Sequence, residues 1–538
     1  MKYVGNAKGI YDYIVVGAGS AGAVMASRLA ESRSQRVLLI EEGGKNQFIG
    51  IAMPAAMGLP LLSSRYNYKY KGAPEGEGEE SCIYQPRGRG LGGSSSVNGM
   101  NWVRGNRADF DNWASLGLDG WDYQSILPYF KKAESFEEGV SAYRGGSGPI
   151  KVERSPANNV LDQSFLRASA SVGLPENPDH NAASQAGPHR IQRNIGNGRR
   201  MDTAFAYLRR RRLGDNLHVL LNTRVERLRL DGRKCVGLEL RRKGQHREYI
   251  AVDGEVVLST GALITPKILQ LSGIGNADEL KKHDIPIAAH LPAVGNNLSD
   301  HTCFCLSYSL NNQGDSIASE LGYSGRAILG TQWLLTRKGL GASNLFEVGG
   351  FFSTTGNDDY PDIQIECIPM SADFGDSAII INPGFQCFIS LQRPTSTGKV
   401  WLQSADPSAA PVFKFNYLSS EADRRLSVRA IKFARQLMMQ KPLARYIDSE
   451  TGYLGEATTD KEILRIALRN AETNYHPCST ARMGTNQNSV VNNHGIVHGF
   501  ENLRVVDASI IPRIPTANLN APVIMIAEKI AAEICGSD

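Results

Sequence analysis

At 538 residues the chain is too long for one hydrophobic core, since cores stop growing near about 250–300 residues, so two domains are expected. Its composition, 41% hydrophobic and 21% charged, excludes a disordered or fibrous chain. A net charge of +5 over this length argues against nucleic acid or a membrane surface as the main partner.

Residues 1–6 lack the apolar centre of a signal peptide, and no run of about eighteen apolar residues occurs, so a cytoplasmic chain without an integral membrane segment is expected. Tyr13-Ile14-Val15-Val16 is a short β-branched run ending in Gly17-Ala18-Gly19-Ser20-Ala21-Gly22. Ala23, Val24, Ala26, Leu29 and Ala30 then recur at helical spacing, and Arg36-Val37-Leu38-Leu39-Ile40 reads as a second buried strand closed by Glu41. Strand, glycine loop, helix, strand and acid follow in the order a dinucleotide site requires. Gly17 permits the tight turn, Gly19 lets backbone approach a pyrophosphate, and Gly22 lets the helix pack against the strand. Ser20 and Ala21 open that helix, whose free N–H groups and positive dipole end suit phosphate. Glu41 is placed to accept both hydroxyl protons of a ribose, and Glu42 reads as its solvated neighbour. NAD and FAD both remain open at this point.

The segment from Pro86 to Met100 holds five glycines and three serines, poor core material but suited to a loop wrapped against a flat polar ligand. Arg87, Gly92, Gly93, Ser94, Asn98, Gly99 and Met100 are its candidate cofactor contacts. The basic run Arg209-Arg210-Arg211-Arg212 reads as a solvated patch after a helix; the alternative is a docking site for an anionic partner or lipid headgroups. Further on, Ile363-Gln364-Ile365-Glu366-Cys367-Ile368 and Gln386-Cys387-Phe388-Ile389-Ser390-Leu391 alternate as strands of an antiparallel sheet, and residues 424–439 have helical periodicity. The eight scattered cysteines form no CxxC pair, and Cys303 and Cys305 stand too close for a zinc site, so reduced thiols and no metal are expected. Nothing local singles out His476 among ten histidines.

The glycine–serine segment, continued through Asn101-Trp102-Val103-Arg104-Gly105, resembles the first signature of the glucose–methanol–choline (GMC) oxidoreductase family. Gly261-Ala262-Leu263-Ile264-Thr265-Pro266-Lys267-Ile268-Leu269-Gln270-Leu271-Ser272-Gly273-Ile274-Gly275 resembles the second. Shorter echoes at Leu291-Pro292-Ala293-Val294-Gly295-Asn296-Asn297-Leu298, Ser404-Ala405-Asp406-Pro407, Asn416-Tyr417-Leu418 and Asn502-Leu503-Arg504-Val505-Val506-Asp507-Ala508-Ser509 carry the resemblance from about residue 11 to the end. It implies bound FAD. Some members attach FAD through a histidine where this chain has Val97, so a non-covalent cofactor is expected.

The resemblance also selects the catalytic residues. His476-Pro477-Cys478-Ser479-Thr480-Ala481-Arg482-Met483-Gly484 is similar to the segment holding the family's base, with Ser479 where a glycine is usual. A histidine suits that task because its ordinary pKa lies near neutrality, about 6.5. The partner position, counted back from Lys529, falls on Asn518, whose amide would bind the substrate oxygen. The Asn518-Leu519-Asn520 turn equally reads as a cap for a helix beginning near Pro522. Val225, Asp507, Ala508, Asn520 and Pro522 complete the cofactor candidates, and Tyr475, Phe346, Glu347 and Glu366 are the substrate candidates.

The implied fold is α/β (α+β overall): a Rossmann-like FAD-binding domain from residues 1–155, 197–302 and 471–538. Residues 156–196 and 303–470 form an interleaved substrate domain on an antiparallel sheet flanked by helices. The implied activity is oxidation of a small alcohol, followed by reoxidation by oxygen, a quinone or a redox protein. A hydroxynitrile-lyase-type enzyme and a non-catalytic flavoprotein are the alternatives. The alcohol, the acceptor and the oligomeric state are not encoded in these motifs.

Overall fold

The structure, a computed structural model, describes residues 1–5, 9–75, 82–211, 213–242, 247–374 and 377–536. Asn6 and Arg212 therefore lie outside the described residues. Parallel strands covered on both faces need apolar side chains throughout, and Tyr13–Val16, Val37–Ile40 and Glu255–Leu258 are almost wholly apolar. They lie at the centre of a six-stranded sheet ordered Lys2–Tyr3, Leu217–Leu220, Val37–Ile40, Tyr13–Val16, Glu255–Leu258, Leu503–Val505. All its pairings are parallel.

Two helices cover one region of this sheet. Ser20–Leu29 leaves the strand Tyr13–Val16 through the glycine loop and packs on Asn520–Cys535, the last helix. Eight of ten residues are buried in the first helix, because it is enclosed on every side rather than amphipathic. Between these helices the fully buried Glu528 accepts from Arg28 Nη2 at 2.7 Å and from the Tyr207 hydroxyl at 2.7 Å. Those partners offset the cost of removing the carboxylate from water.

The second layer is a seven-stranded sheet. Its path runs Ile447–Thr451, Thr302–Leu310, Phe385–Leu391, Ile363–Ile368, Val348–Phe352, Gly187–Arg190, with Glu472–Thr473 also paired to Thr302–Leu310. Every pairing in it is antiparallel. Alternation sorts the two faces. Ile363, Ile365, Cys367, Phe385, Cys387, Ile389 and Leu391 join one apolar cluster with the helices Val160–Ser171 and Glu421–Met438. Gln364, Glu366, Gln386 and Phe388 point the other way, and two of them meet the site described below. The helix Glu421–Met438 begins three residues before its apolar periodicity does, because Ser420 caps it by accepting from the Asp423 amide.

Candidate active site

An elongated cavity of about 530 Å³ runs from the carboxyl ends of the parallel strands to the face of the antiparallel sheet. Its wall includes Gly17, Gly19, Ser20 and Ala21 from the first glycine loop, and Arg87, Gly93, Ser94, Asn98, Gly99 and Met100 from the second. The two loops touch: a β-carbon on Gly93, at φ +49°, would lie 2.7 Å from the Gly19 Cα. The helix Ser20–Leu29 begins with no side-chain cap and no acid in its first turn, so its N–H groups open onto the cavity. Gly22 and Gly92 shape the backbone behind this wall. A β-carbon on Gly22 would lie 1.8 Å from the Gly17 carbonyl oxygen, and Gly92 turns at φ +90°.

Glu41 lies in the cavity wall with its oxygens already bonded to backbone. Oε2 accepts from Ala18 N at 2.9 Å, and Oε1 accepts from Gly43 N at 2.8 Å and Gly90 N at 3.0 Å. The carboxylate thus pins both glycine loops. Glu42 is not simply solvated: it lines the cavity, accepts from the Tyr68 hydroxyl at 3.1 Å and pairs with Arg89 at 3.4 Å. Val225, Asp507, Ala508 and Asn520 are also in the wall, whereas Pro522 lies one turn into the last helix and off it. Asp507 Oδ2 accepts from Gly261 N and the Thr265 hydroxyl, fixing the second signature against the strand end. Asn520 Oδ1 accepts from the Ser20 hydroxyl at 2.9 Å, and its buried Nδ2 has no partner among the described residues. That helix begins at Asn520 without a side-chain cap, so Asn518 is not spent on capping.

At the other end of the cavity, His476 Nδ1 lies 3.0 Å from His301 Nδ1. Asp300 anchors the same loop, accepting from His476 N at 2.8 Å, the Tyr417 hydroxyl at 2.6 Å and the Thr473 hydroxyl. Arg87 joins this loop to the glycine–serine segment by donating to the Tyr475 carbonyl at 2.9 Å. Burial first, then His301 and Arg87, hold His476 well below the ordinary histidine value, and burial lowers His301 to about 3. Both rings are therefore neutral near pH 7. Burial raises Asp300 to about 6. His301 and Asp300 escaped the sequence reading although Ser299-Asp300-His301 directly follows the segment ending at Leu298.

Asn518 faces the antiparallel sheet. Its Oδ1 accepts from Gln364 Nε2 at 3.0 Å, and its Nδ2 stands 3.5 Å from Glu366 Oε1. Glu366 also accepts from Asn101 Nδ2 and from Gln364 Nε2 at 3.2 Å, pairs with no cation among the described residues, and burial raises its carboxyl to about 7. Phe346, Glu366 and Tyr475 are in the wall. Glu347 is not; it pairs with Arg193 at 3.4 Å and accepts from the Ser343 hydroxyl at 2.6 Å, so the structure corrects its assignment as a substrate candidate. Among the described residues no cluster of His, Cys, Asp or Glu suits a metal ion, and no helix is long and apolar enough to cross a membrane.

A sequence profile for GMC oxidoreductases matches residues 11–303 and 394–527. The chain belongs to the GMC oxidoreductase family. It is 41% identical over 533 residues to the oxygen-dependent choline dehydrogenase of Paraburkholderia xenovorans, covering 98% of this chain and 95% of that one. The corresponding enzyme of Chromohalobacter salexigens is 39% identical with the same coverage. Among solved structures, pyridoxine 4-oxidase from Mesorbium loti superposes with a TM-score of 0.86 at 29% identity, covering 98% of this chain and 99% of that one. Formate oxidase of Aspergillus oryzae RIB40 gives 0.90 at 27%, covering 99% of each. This GMC oxidoreductase is an FAD-dependent enzyme that oxidises alcohol-type substrates. The cavity fits that cofactor: a glycine cradle in which Gly17, Gly22 and Gly93 have no room for a β-carbon, an uncapped helix start, and an Asn520 Nδ2 without a partner among the described residues. Val97 lines it as well, and a valine offers no atom for a covalent attachment.

Proposed function

We propose that the enzyme converts an alcohol to an aldehyde or ketone with His476 as base and Asn518 as donor to the alcohol oxygen. The observation carrying this reading is the 3.0 Å contact between His476 and His301 at the cavity wall. One of the two Nδ1 atoms must donate to the other. The carbonyls of Pro515 and Gln392 lie near the His301 ring, and we place that ring's proton on Nε2, the nitrogen turned away from His476. His301 Nδ1 then accepts, His476 Nδ1–H donates, and His476 Nε2 keeps a free lone pair for the substrate hydroxyl. Asn518, its Oδ1 occupied by Gln364, presents N–H groups to the oxygen as negative charge develops on it.

Bound FAD supplies the hydride acceptor. Gly17, Gly19, Ser20, Ala21, Gly93 and Ser94 would hold its phosphates, and Asn520 and the start of the last helix its ring system. Residues 1–155, 197–302 and 471–538 act as the cofactor domain, and residues 156–196 and 303–470 as the substrate domain. Oxygen or another acceptor completes the cycle; the similarity to oxygen-dependent choline dehydrogenases supports oxygen, and choline is the first alcohol to assay.

His476→Ala should retain FAD but slow anaerobic flavin reduction by orders of magnitude in stopped flow. A near-normal rate would remove His476 from this role. Bleaching of the yellow enzyme by alcohol without oxygen separates oxidation from lyase chemistry, which leaves the flavin oxidised.

A further inference from the structure

The helix Tyr323–Thr336 is attached to the molecule through one narrow stripe. Only Leu329 and Trp333 are buried, and the Trp333 indole donates to the Gly198 carbonyl at 2.6 Å. At about 3.6 residues per turn, Tyr323, Ala327 and Leu334 share one row on the opposite side, and Ile328 and Leu335 the next. These side chains are open to solvent: Tyr323 is 97% exposed, Ile328 70%, Leu334 54% and Leu335 80%. Isolated exposed apolar residues are ordinary, but four large ones on a single uncharged arc are not.

The charge carried by the helix itself has one sign, and the nearest acid along the chain, the exposed Glu320, lies ahead of its first turn. Residues 323–338 contain Arg326, Arg337 and Lys338 and no acid. Arg199 lies close enough to feel the charges of both Arg209 and Arg337, with Asp202 the counter-charge beside it. Arg209 donates to the Lys45 and Asn46 carbonyls rather than to a carboxylate. Arg210 beside it is exposed, whereas Arg211 pairs with Glu31. The basic run that the sequence left without a function therefore continues the basic end of the apolar helix. The small net charge of the whole chain conceals this local pairing.

We infer that this face docks the enzyme on the surface of an anionic phospholipid bilayer. The uncharged arc sinks to the level of the acyl chains, and Arg337, Lys338, Arg209 and Arg210 meet the phosphates. Leu329 ties the helix to a cluster that includes Phe346 and Phe388, two rings of the cavity wall, so docking sets the antiparallel-sheet side of the site towards lipid.

The test is co-sedimentation of the holoenzyme with phosphatidylcholine vesicles made with or without phosphatidylglycerol. Binding is expected only with the anionic lipid and should weaken with salt. Lys338→Gln should lower the partition coefficient about fivefold. The double substitution Ile328→Ser with Leu335→Ser should lower it at least about tenfold, since two large apolar side chains no longer enter the lipid. Turnover of a water-soluble alcohol with an artificial acceptor, measured without vesicles, should not change in either variant. No binding to anionic vesicles, equal binding to neutral ones, or binding indifferent to these substitutions overturns the inference. So does a dimer, seen by light scattering, that the double substitution dissociates without any effect on vesicles.

Discussion

His301→Ala tests the tautomer argument directly. The replacement removes the only side chain among the described residues bonded to His476 Nδ1, at 3.0 Å, and leaves that N–H in a buried pocket. A buried polar group deprived of its partner costs about 1–3 kcal/mol. If that energy holds the imidazole with Nε2 turned to the substrate, losing it slows hydride transfer about 5- to 150-fold, at about 1.4 kcal/mol per decade. The pH dependence moves as well. Burial is the main reason His476 stays neutral, and the neighbouring His301 adds to it. Opening the pocket and removing that neighbour lets the His476 pKa rise towards about 6.5. A base is inactive when protonated, so the rate of the variant should fall as pH drops from 7 to 6 while the parent holds its rate further down. Asp300 and Glu366 titrate in both proteins, so the difference between the two profiles is what is read. The assay is anaerobic stopped-flow reduction at saturating alcohol, with FAD content measured alongside. An unchanged limiting rate with an unmoved acid limb refutes the orientation argument.

Glu366→Gln should remove an inflection near pH 7 from kcat/KM, because the buried carboxyl is neutral below about 7 and charged above it; persistence of that inflection assigns it elsewhere. Gly22→Ala drives a β-carbon to within 1.8 Å of the Gly17 carbonyl oxygen and should cost about 3 kcal/mol or more together with the bound FAD, read by flavin absorbance and thermal melting. Glu134→Ala strips the shared partner of two buried arginines, Arg104 at 2.6 Å and Arg144 at 2.8 Å. Arg104 loses its counter-charge while Arg144 keeps Asp179 at 2.8 Å, so the protein should be destabilised by about 3 kcal/mol in denaturant titration, with little change in the reduction rate of the folded fraction.

What was legible in the sequence was local. The glycine loop and its two strands declare themselves because a parallel core strand must be apolar at every position, and a loop against phosphate must be nearly bare of side chains. The strand Ile363–Ile368 was visible in its alternation, but alternation cannot say that Glu366 faces a cavity rather than solvent. Glu347 shows the converse. One residue from Phe346 and as plausible by position, it turns to Arg193 and Ser343 instead. His301 lies 175 residues from His476, and no spacing rule links two positions whose contact depends on the strand Thr302–Leu310 running beside Glu472–Thr473. The docking helix was hidden for a different reason. Apolar residues spread around all its sides read as core, and only the packing shows which side has no neighbour.

The orientation of Asn518 joins the two layers of the molecule. An asparagine amide can present either a carbonyl oxygen or an N–H to a bound alcohol, and only the N–H stabilises oxygen as it gains negative charge. Here the choice belongs to the antiparallel sheet rather than to the helix start that carries Asn518. Gln392 Nε2 donates to Gln364 Oε1 at 3.3 Å, which turns Gln364 Nε2 towards Asn518 Oδ1 at 3.0 Å. With its oxygen occupied, Asn518 has Nδ2 left for Glu366 and for the cavity. Gln364 and Glu366 sit two positions apart on one strand, so the period of two puts both on the cavity side and neither in the apolar cluster behind. A one-residue slip of that strand would bury both polar groups in the apolar cluster and free the amide to flip. The apolar residues that alternate with them, Ile363, Ile365 and Cys367, hold that register, and through it core packing sets which atom of Asn518 is left for the cavity.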